Sequence, residues 1–297
     1  MGALPFFFRT LVRPSATLVR STVLELLILA GHLLLYPTGL TQERRPPPPP
    51  VPPAPPPPGP ASAAVAASSV TVQPPAPPPP APAAAEPHPP VLLLHGFIDN
   101  RSVFVLLRRS LRRHGWSQVS SLNYSPLTGD LRTAAAVLGG HIEEICGRTD
   151  HERIDIVGHS LGGLIARYYV QRLGGDTRVR TLVTLGTPHR GTTVAPLMSA
   201  HPLVRQMRPD SDVIAELSRP APDCRTHFIA FWSDLDQIMV PVETARIDHP
   251  DLSARNVRVS GVGHLALPVH WAIAAGIRQA LAAEEAVADA TGTSSVA

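Results

Sequence analysis

One short stretch, GHSLGG at residues 158–163, constrains the fold of this 297-residue chain more than any other. It separates a short apolar run at residues 154–157 from a longer, helix-like run at residues 161–173. The glycines on either side of the serine carry no side chain, so a strand and a helix can approach closely around a tight turn. The pattern G-x-S-x-G in this position is typical of a strained turn that holds its serine clear of the sheet. We therefore predict a strand, a turn with Ser160 at its tip, and a helix.

The same alternation of strand and helix continues on both sides of this turn. The apolar run at residues 91–94 predicts a buried parallel strand, and five further strands are predicted at residues 119–124, 154–157, 179–185, 227–232 and 257–260. Runs with helical periodicity lie between and after them, among them residues 102–114, 130–146 and 269–285. Such an order favours a parallel sheet covered on both sides. The predicted fold is α/β: a doubly wound, mostly parallel six-stranded sheet with helices on both faces, forming one domain at residues 91–285.

The first 90 residues differ in composition from this domain. Residues 46–90 contain more than half of the 35 prolines, which predicts a disordered, extended linker that acts as a semi-rigid spacer. Residues 1–45 combine several arginines with an apolar run at residues 23–36, shorter than the ~20 residues that a spanning helix needs. Two interpretations stay open for this segment. It is a signal or membrane anchor of a membrane-bound or secreted protein, or it is a helix docked on a cytoplasmic one.

Composition also limits the classes of partner and cofactor. The formal net charge is +3, and no stripe of basic and aromatic residues occurs, so we predict no nucleic-acid partner. No motif has the spacing of a metal site, and we predict neither a metal nor a cofactor. Cys146 and Cys224 either form a disulfide or remain reduced thiols, because a sequence gives no Cα distance. The last residues, 286–297, are predicted to be a disordered tail.

Chemistry-bearing residues follow three of the predicted strands. A serine hydroxyl is a poor nucleophile unless a base takes its proton, and the base needs a carboxylate to orient it. In a parallel sheet, functional side chains gather at the carboxyl ends of the strands. Asp236 follows the fifth predicted strand, His264 follows the sixth, and His95-Gly96-Phe97 follows the first. These positions predict Ser160 as nucleophile, His264 as base and Asp236 as the orienting acid.

Each partner of the serine has a rival in the sequence. Asp234 lies two residues before Asp236 in the same predicted loop. His249 and His270 also come after the acid, but His249 lies in a His-Pro-Asp turn and His270 in the last predicted helix. His264 is preferred because it lies in a glycine-flanked loop after a strand.

These residues make the chain similar to the α/β-hydrolase superfamily, and within it to the bacterial triacylglycerol lipases and esterases of minimal size. The resemblance covers residues 90–283 and rests on five motifs: His95-Gly96-Phe97, GHSLGG at 158–163, LGTPHRGT at 185–192, Asp236 followed by Val240-Pro241, and Gly263-His264. The spacing from the acid to Val-Pro favours Asp236 over Asp234. The resemblance implies hydrolysis of carboxylic esters, with the N–H groups of Phe97 and Leu161 forming an oxyanion hole.

Three functional classes follow from these motifs. The first is a serine hydrolase acting on a lipid or another acyl ester through an acyl-enzyme intermediate. An acyltransferase or a thioesterase would use the same three side chains with a different acceptor or leaving group. The third is a non-catalytic surface protein that acts through its proline-rich segment, and the intact set of Ser160, Asp236 and His264 argues against it.

Residues 192–220 form a further segment of interest. Its apolar side chains predict either a cover over the acyl pocket or ordinary helices that pack on the sheet. The apolar residues in question are Val194, Leu197, Met198, Leu203, Val204 and Met207.

Overall fold

The structure is a computed structural model that describes residues 16–39, 88–97, 99–124, 129–149, 151–194 and 201–292, with side chains described as far as residue 283. These residues all belong to one compact unit. The linker predicted at residues 46–90 lies almost entirely outside the described residues, as do Leu197 and Met198.

Six parallel strands form the central sheet, as the sequence predicts. They are β1 (Val91–Leu94), β2 (Val119–Leu122), β3 (Ile154–His159), β4 (Val179–Leu185), β5 (His227–Ser233) and β6 (Ala254–Val259). Their spatial order is β2-β1-β3-β4-β5-β6, and every neighbouring pair is parallel. Strand β6 begins three residues before its predicted start at 257. It pairs with β5 alone and lies half-exposed at the sheet edge. A strand in this position can carry polar side chains, and Arg255 and Asn256 therefore interrupt the apolar pattern from which the start was predicted.

The helices lie before, between and after the strands. They are α1 (Ala16–Gly39), α2 (Val105–Arg113), α3 (Leu131–Thr149), α4 (Leu161–Arg172), α5 (Pro202–Gln206), α6 (Asp212–Leu217) and α7 (Trp271–Gly292). A 3-10 turn at Arg101–Phe104 leads into α2. Helix α7 continues past residue 285, the predicted end of the domain.

Two apolar layers enclose the sheet. Side chains alternate between the faces of a strand, so Leu92 and Leu94 pack with α3, α4, α5 and α6 on one side. Val91 and Leu93 pack with α2 and α7 on the other side. The fold prediction is therefore confirmed, including the helices on both faces. Every strand of this parallel sheet directs its carboxyl end to the same edge, where the candidate site lies.

Helix α1 packs on the domain, against the loop that follows β1. The Asn100 side chain donates to the Tyr36 carbonyl oxygen at 2.8 Å, and the Asn123 side chain donates to the Gly39 carbonyl oxygen at 2.6 Å. The helix from Val19 to Gly39 is also long and apolar enough to cross a membrane, judged by length and composition. It therefore has features of both interpretations of the N-terminus.

Candidate active site

The turn between β3 and α4 places Ser160 in a strained backbone conformation. Its φ is 52° and its ψ is −120°, a combination that non-glycine residues rarely adopt and that costs of the order of 1–3 kcal/mol. Two hydrogen bonds hold the residue there: Ser160 N–H donates to the Leu185 carbonyl oxygen at 2.9 Å, and the Thr187 hydroxyl donates to the Ser160 carbonyl oxygen at 3.0 Å. The turn predicted from the sequence is present, and it directs Ser160 above the carboxyl ends of the strands.

The glycines of this turn are required by close backbone contacts. A Cβ atom on Gly158 would lie 2.5 Å from Gly163 Cα, and one on Gly162 would lie 2.4 Å from the Leu94 carbonyl oxygen. Both neighbours are backbone atoms that cannot rotate away. Helix α4 can therefore begin directly beside β1 and β3 only if these positions carry no side chain.

Asp236 and His264 form a buried pair in the loops after β5 and β6. His264 Nδ1 donates to Asp236 Oδ2 at 2.7 Å. The other carboxylate oxygen, Oδ1, accepts the N–H groups of Ile238 and Met239 at 2.9 and 3.0 Å. Both carboxylate oxygens are thus fixed, and the imidazole is held with its Nε2 free to serve as a proton acceptor.

Each member of this pair changes the pKa of the other. Burial acts to raise the pKa of Asp236, but the attraction of His264 and the hydrogen bonds from His264 and the two N–H groups outweigh it, and the pKa lies below its usual value. Burial acts to lower the pKa of His264, but the Asp236 carboxylate outweighs it and raises this pKa above 6.5. The pair thus consists of an ionised carboxylate and a histidine whose basicity is increased.

Ser160 and His264 open onto the same cavity, which has a volume of about 110 Å³. Apolar side chains from the loops after β4 and β5 and from the region of α5 line the rest of it. The lining residues are Gly96, Phe97, Asp99, His159, Ser160, Thr192, Val194, Val204, Met207, Ile238, Met239, His264 and Leu265. The cavity is therefore a largely apolar pocket with a hydroxyl and an imidazole on its wall, which suits an acyl chain.

The two residues predicted to form an oxyanion hole are Phe97, which lines this cavity, and Leu161, which directly follows Ser160. Leu161 is the first residue of α4, so its N–H belongs to the helix N-terminus, where negative charge is favoured. Phe97 lines the cavity from the loop after β1. Tyr124 orders that loop: its hydroxyl donates to the His95 carbonyl oxygen, and its ring stacks on the His95 ring at 4.3 Å.

The rival acid and bases lie elsewhere. Asp234 accepts hydrogen bonds from the Arg258 side chain and the Gly261 N–H, each at 3.0 Å. The exposed His249 side chain contacts the Arg219 carbonyl oxygen at 3.0 Å. The His270 ring lies against Trp271 at the start of α7. The geometry therefore joins Asp236 and His264 to each other and gives the other three side chains different partners.

Sequence reasoning missed two acidic residues that lie close to His264. Asp99 is buried, and its carboxylate lies 3.6 Å from His32 Nδ1 and 3.5 Å from His159 Nδ1. Burial acts to raise the pKa of Asp99, but its contacts with His159 and the nearby His32 lower it. The second is Glu25, which comes from α1. Both depend on contacts between distant parts of the chain, and no local motif marks them.

Three further predictions concern metal binding, the two cysteines and the segment 192–220. Among the described residues, no group of three or more His, Cys, Asp or Glu side chains could hold a metal ion. Cys146 and Cys224 are both free thiols, and burial raises the pKa of each. In the segment 192–220, α5 and α6 pack in the core, while Val194, Val204 and Met207 also line the cavity.

The order of the strands, the turn at Ser160 and the site at the carboxyl edge define an α/β-hydrolase. Structures with this arrangement include the mature lipase BlEst2 of Bacillus licheniformis, with a TM-score of 0.53, 15% identity, and coverage of 63% of this chain and 92% of that one. The product of a Listeria innocua gene has a TM-score of 0.50 and 16% identity, with coverage of 64% and 92%. These likenesses establish the fold.

The family follows from the sequence comparison. The model of the palmitoyl protein thioesterase family matches residues 90–238, which is half of the chain, and the protein belongs to this family. Two curated relatives, triacylglycerol lipases of Pseudarthrobacter phenanthrenivorans and Burkholderia plantarii, are each 28% identical over 114 residues, or 36% of this chain. The match spans about a third of their length, 35% and 31% respectively. The resemblance to lipases and esterases of the α/β-hydrolase superfamily is confirmed.

Proposed function

We propose that this protein is a serine hydrolase that cleaves carboxylic esters with acyl chains. The observation that carries the proposal is the buried pair of Asp236 and His264, joined at 2.7 Å, beside Ser160 on one cavity wall. The family membership and the lipase relatives support the same reaction class.

The proposed reaction proceeds in two halves. Ser160 Oγ attacks the ester carbonyl carbon while His264 Nε2 takes the hydroxyl proton. The N–H groups of Leu161 and Phe97 stabilise the oxyanion of the tetrahedral intermediate. His264 then gives its proton to the leaving alcohol oxygen, which leaves an acyl group on Ser160. Water, deprotonated by His264, releases the acid and restores the serine.

A thioester is the second candidate substrate, because the matching family model is that of palmitoyl protein thioesterases. The same residues would attack a thioester carbonyl and protonate a leaving thiolate. Ser160, Asp236 and His264 do not by themselves distinguish the two leaving groups. Acyl transfer would require only that an acceptor alcohol replace water in the second half of the reaction.

The test compares substrates that share an acyl chain and differ in the leaving atom. Purified protein is assayed with p-nitrophenyl esters of increasing chain length and with the corresponding acyl thioesters, alongside Ser160→Ala. We expect ester turnover that the alanine variant lowers by about 10⁴-fold or more while folding is retained. A wild-type protein without turnover of either series would contradict the proposal, and a strong preference for thioesters would select the second candidate.

We also propose that Val194, Val204 and Met207 border the acyl chain. All three side chains line the cavity together with Ser160 and His264. If this border moves as a cover, activity should rise when the substrate passes its aggregation point. A smooth saturation curve through that point would support a fixed rim.

We propose, finally, that α1 lies on a membrane surface and holds the enzyme close to lipid substrates. Leu27 and Leu34 are 65% and 80% exposed on this helix, and Arg20 precedes them. Large apolar side chains on one exposed face favour an interfacial position. Fractionation of the full chain tests this proposal. Wild type should pellet with membranes, the double variant Leu27→Gln/Leu34→Gln should remain soluble, and the α2 control Leu106→Gln should behave as wild type. Equal partition of all three would contradict the proposal.

A further inference from the structure

Helix α1 directs three polar residues, Ser21, Glu25 and His32, toward the domain and most of its large apolar residues toward solvent, whereas an ordinary surface helix buries its apolar face. Ser21, Glu25, Ile28 and His32 follow one another at intervals of four, three and four residues, which places them on one face. This face is buried or half-buried, whereas Leu26 and Leu27 on the other face are exposed. Glu25 and His32 therefore lie at contact positions of a docked helix.

Glu25 makes the most specific contact of this face. Its Oε2 accepts the Leu265 N–H and its Oε1 accepts the Ala266 N–H, both at 2.9 Å. These N–H groups belong to the two residues that directly follow His264. One carboxylate thus holds the loop of the proposed base with both of its oxygens, across 240 residues of sequence.

The loop is shaped to receive this carboxylate. A Cβ atom on Gly263 would lie 2.4 Å from Glu25 Cδ, so the glycine before His264 leaves the space that Glu25 occupies. The loop lies between β6 and α7, so its two N–H groups do not belong to a strand or helix ladder. On the opposite side, the His264 carbonyl oxygen accepts from His159 Nε2 at 3.2 Å.

We propose that Glu25 is a positioning residue for His264, and that α1 thereby completes the active site. This proposal rests on the proposed function of His264 as the base. The carboxylate fixes the backbone that carries the imidazole, while Asp236 fixes the ring. A helix that leaves the domain to cross a membrane would take Glu25 with it, so the docked position of α1 is the active one.

The charge of Glu25 has a second, measurable consequence. The charged and titratable groups that face His264 are Asp236, Glu25, Asp99 and His159, from four different elements. Burial lowers the pKa of His264, Asp236 opposes this most strongly, and Glu25 adds to the increase. Replacing Glu25 by glutamine removes a charge that favours the imidazolium. The acidic limb of kcat/KM should then move to lower pH, an effect that a purely structural contact would not produce.

The experiment uses the full chain with Glu25→Ala, Glu25→Gln and, as control, Leu106→Ala at an exposed position of α2. We expect Glu25→Ala to lower kcat 10- to 100-fold on a short p-nitrophenyl ester with little change in KM, because pocket residues are untouched. Glu25→Gln should lose less, because its carbonyl oxygen still accepts one N–H, and its acidic limb should shift as described. Leu106→Ala should match wild type. Wild-type kcat and pH profiles in both Glu25 variants would overturn the proposal.

Hydrogen exchange makes the test independent of turnover. In Glu25→Ala, the amides of Leu265 and Ala266 should exchange at least tenfold faster than in wild type, while the β3 amides stay protected. Unchanged protection of these two amides would overturn the proposal that Glu25 holds the loop, even if activity fell. If exchange is faster in Glu25→Ala but the wild type hydrolyses no ester, the contact of Glu25 with the loop is supported and the proposed function is wrong. If Glu25→Ala does not fold, Glu25→Gln provides both measurements.

Discussion

Replacing Asp236 by asparagine tests the chemistry of the pair most sharply. In the wild type, Oδ1 accepts the N–H groups of Ile238 and Met239, so the amide oxygen of an asparagine must stay at that position. The amide NH₂ then faces His264 Nδ1, in place of the oxygen that now accepts at 2.7 Å. Nδ1 becomes an acceptor and the proton moves to Nε2, the atom that receives the serine proton in the proposed reaction.

The expected loss is large because the variant stabilises the wrong tautomer. It amounts to about 10⁴-fold in kcat, or about 5.5 kcal/mol at 1.36 kcal/mol per factor of ten. The pH dependence should change as well. In the proposed reaction neutral His264 is the active form, so wild-type kcat/KM should fall as pH drops through a pKa that Asp236 raises above 6.5. Without that carboxylate, burial dominates and the midpoint should fall below 6.5.

The assay is kcat/KM from pH 5 to 9 on a soluble p-nitrophenyl ester, with circular dichroism to confirm folding. Asp234→Asn is the matched control, since Asp234 pairs with the partly exposed Arg258 and exposed pairs contribute little. It should retain wild-type activity and pH dependence. The reasoning is refuted if Asp236→Asn keeps more than a tenth of the activity, or if the two variants behave alike.

Two further substitutions test the turn and the pocket. Gly162→Ala places a Cβ 2.4 Å from the Leu94 carbonyl oxygen and should cost about 3 kcal/mol, seen as a lower melting temperature. Gly140→Ala, in open space on α3, should be neutral or slightly stabilising, and equal melting temperatures would contradict the argument. Met207→Trp should fill part of the cavity and lower kcat/KM for eight-carbon relative to four-carbon esters by about tenfold. An unchanged chain-length preference would place the acyl chain elsewhere.

Local patterns explain why much of the fold could be predicted. The central strands are short, mostly apolar runs, and residues 91–94 and 179–185 coincide with β1 and β4 as observed. The positions of Ser160, Asp236 and His264 after strand ends follow from the same regularity. The predicted start of β6 lies three residues after the observed one, because an edge strand can carry polar side chains.

Contacts between distant segments could not be predicted in this way. Glu25 and His32 interrupt an apolar run, and from the sequence they only weaken the case for a spanning helix. Their role emerges when α1 packs beside the loops that carry His264 and Asp99. Such pairings depend on the assembled tertiary structure, and a polar stripe on an otherwise apolar helix was the only signal available.

Labelling by a fluorophosphonate shows whether Ser160 is the activated nucleophile, because this reagent reacts covalently with an activated serine. The full chain is treated with the reagent, digested and analysed by mass spectrometry, with Ser160→Ala and His264→Ala treated in parallel. We expect one adduct, on the peptide that contains Ser160, in wild-type protein and none in either variant. A wild-type protein without an adduct, or an adduct at another serine that persists in Ser160→Ala, would contradict this expectation.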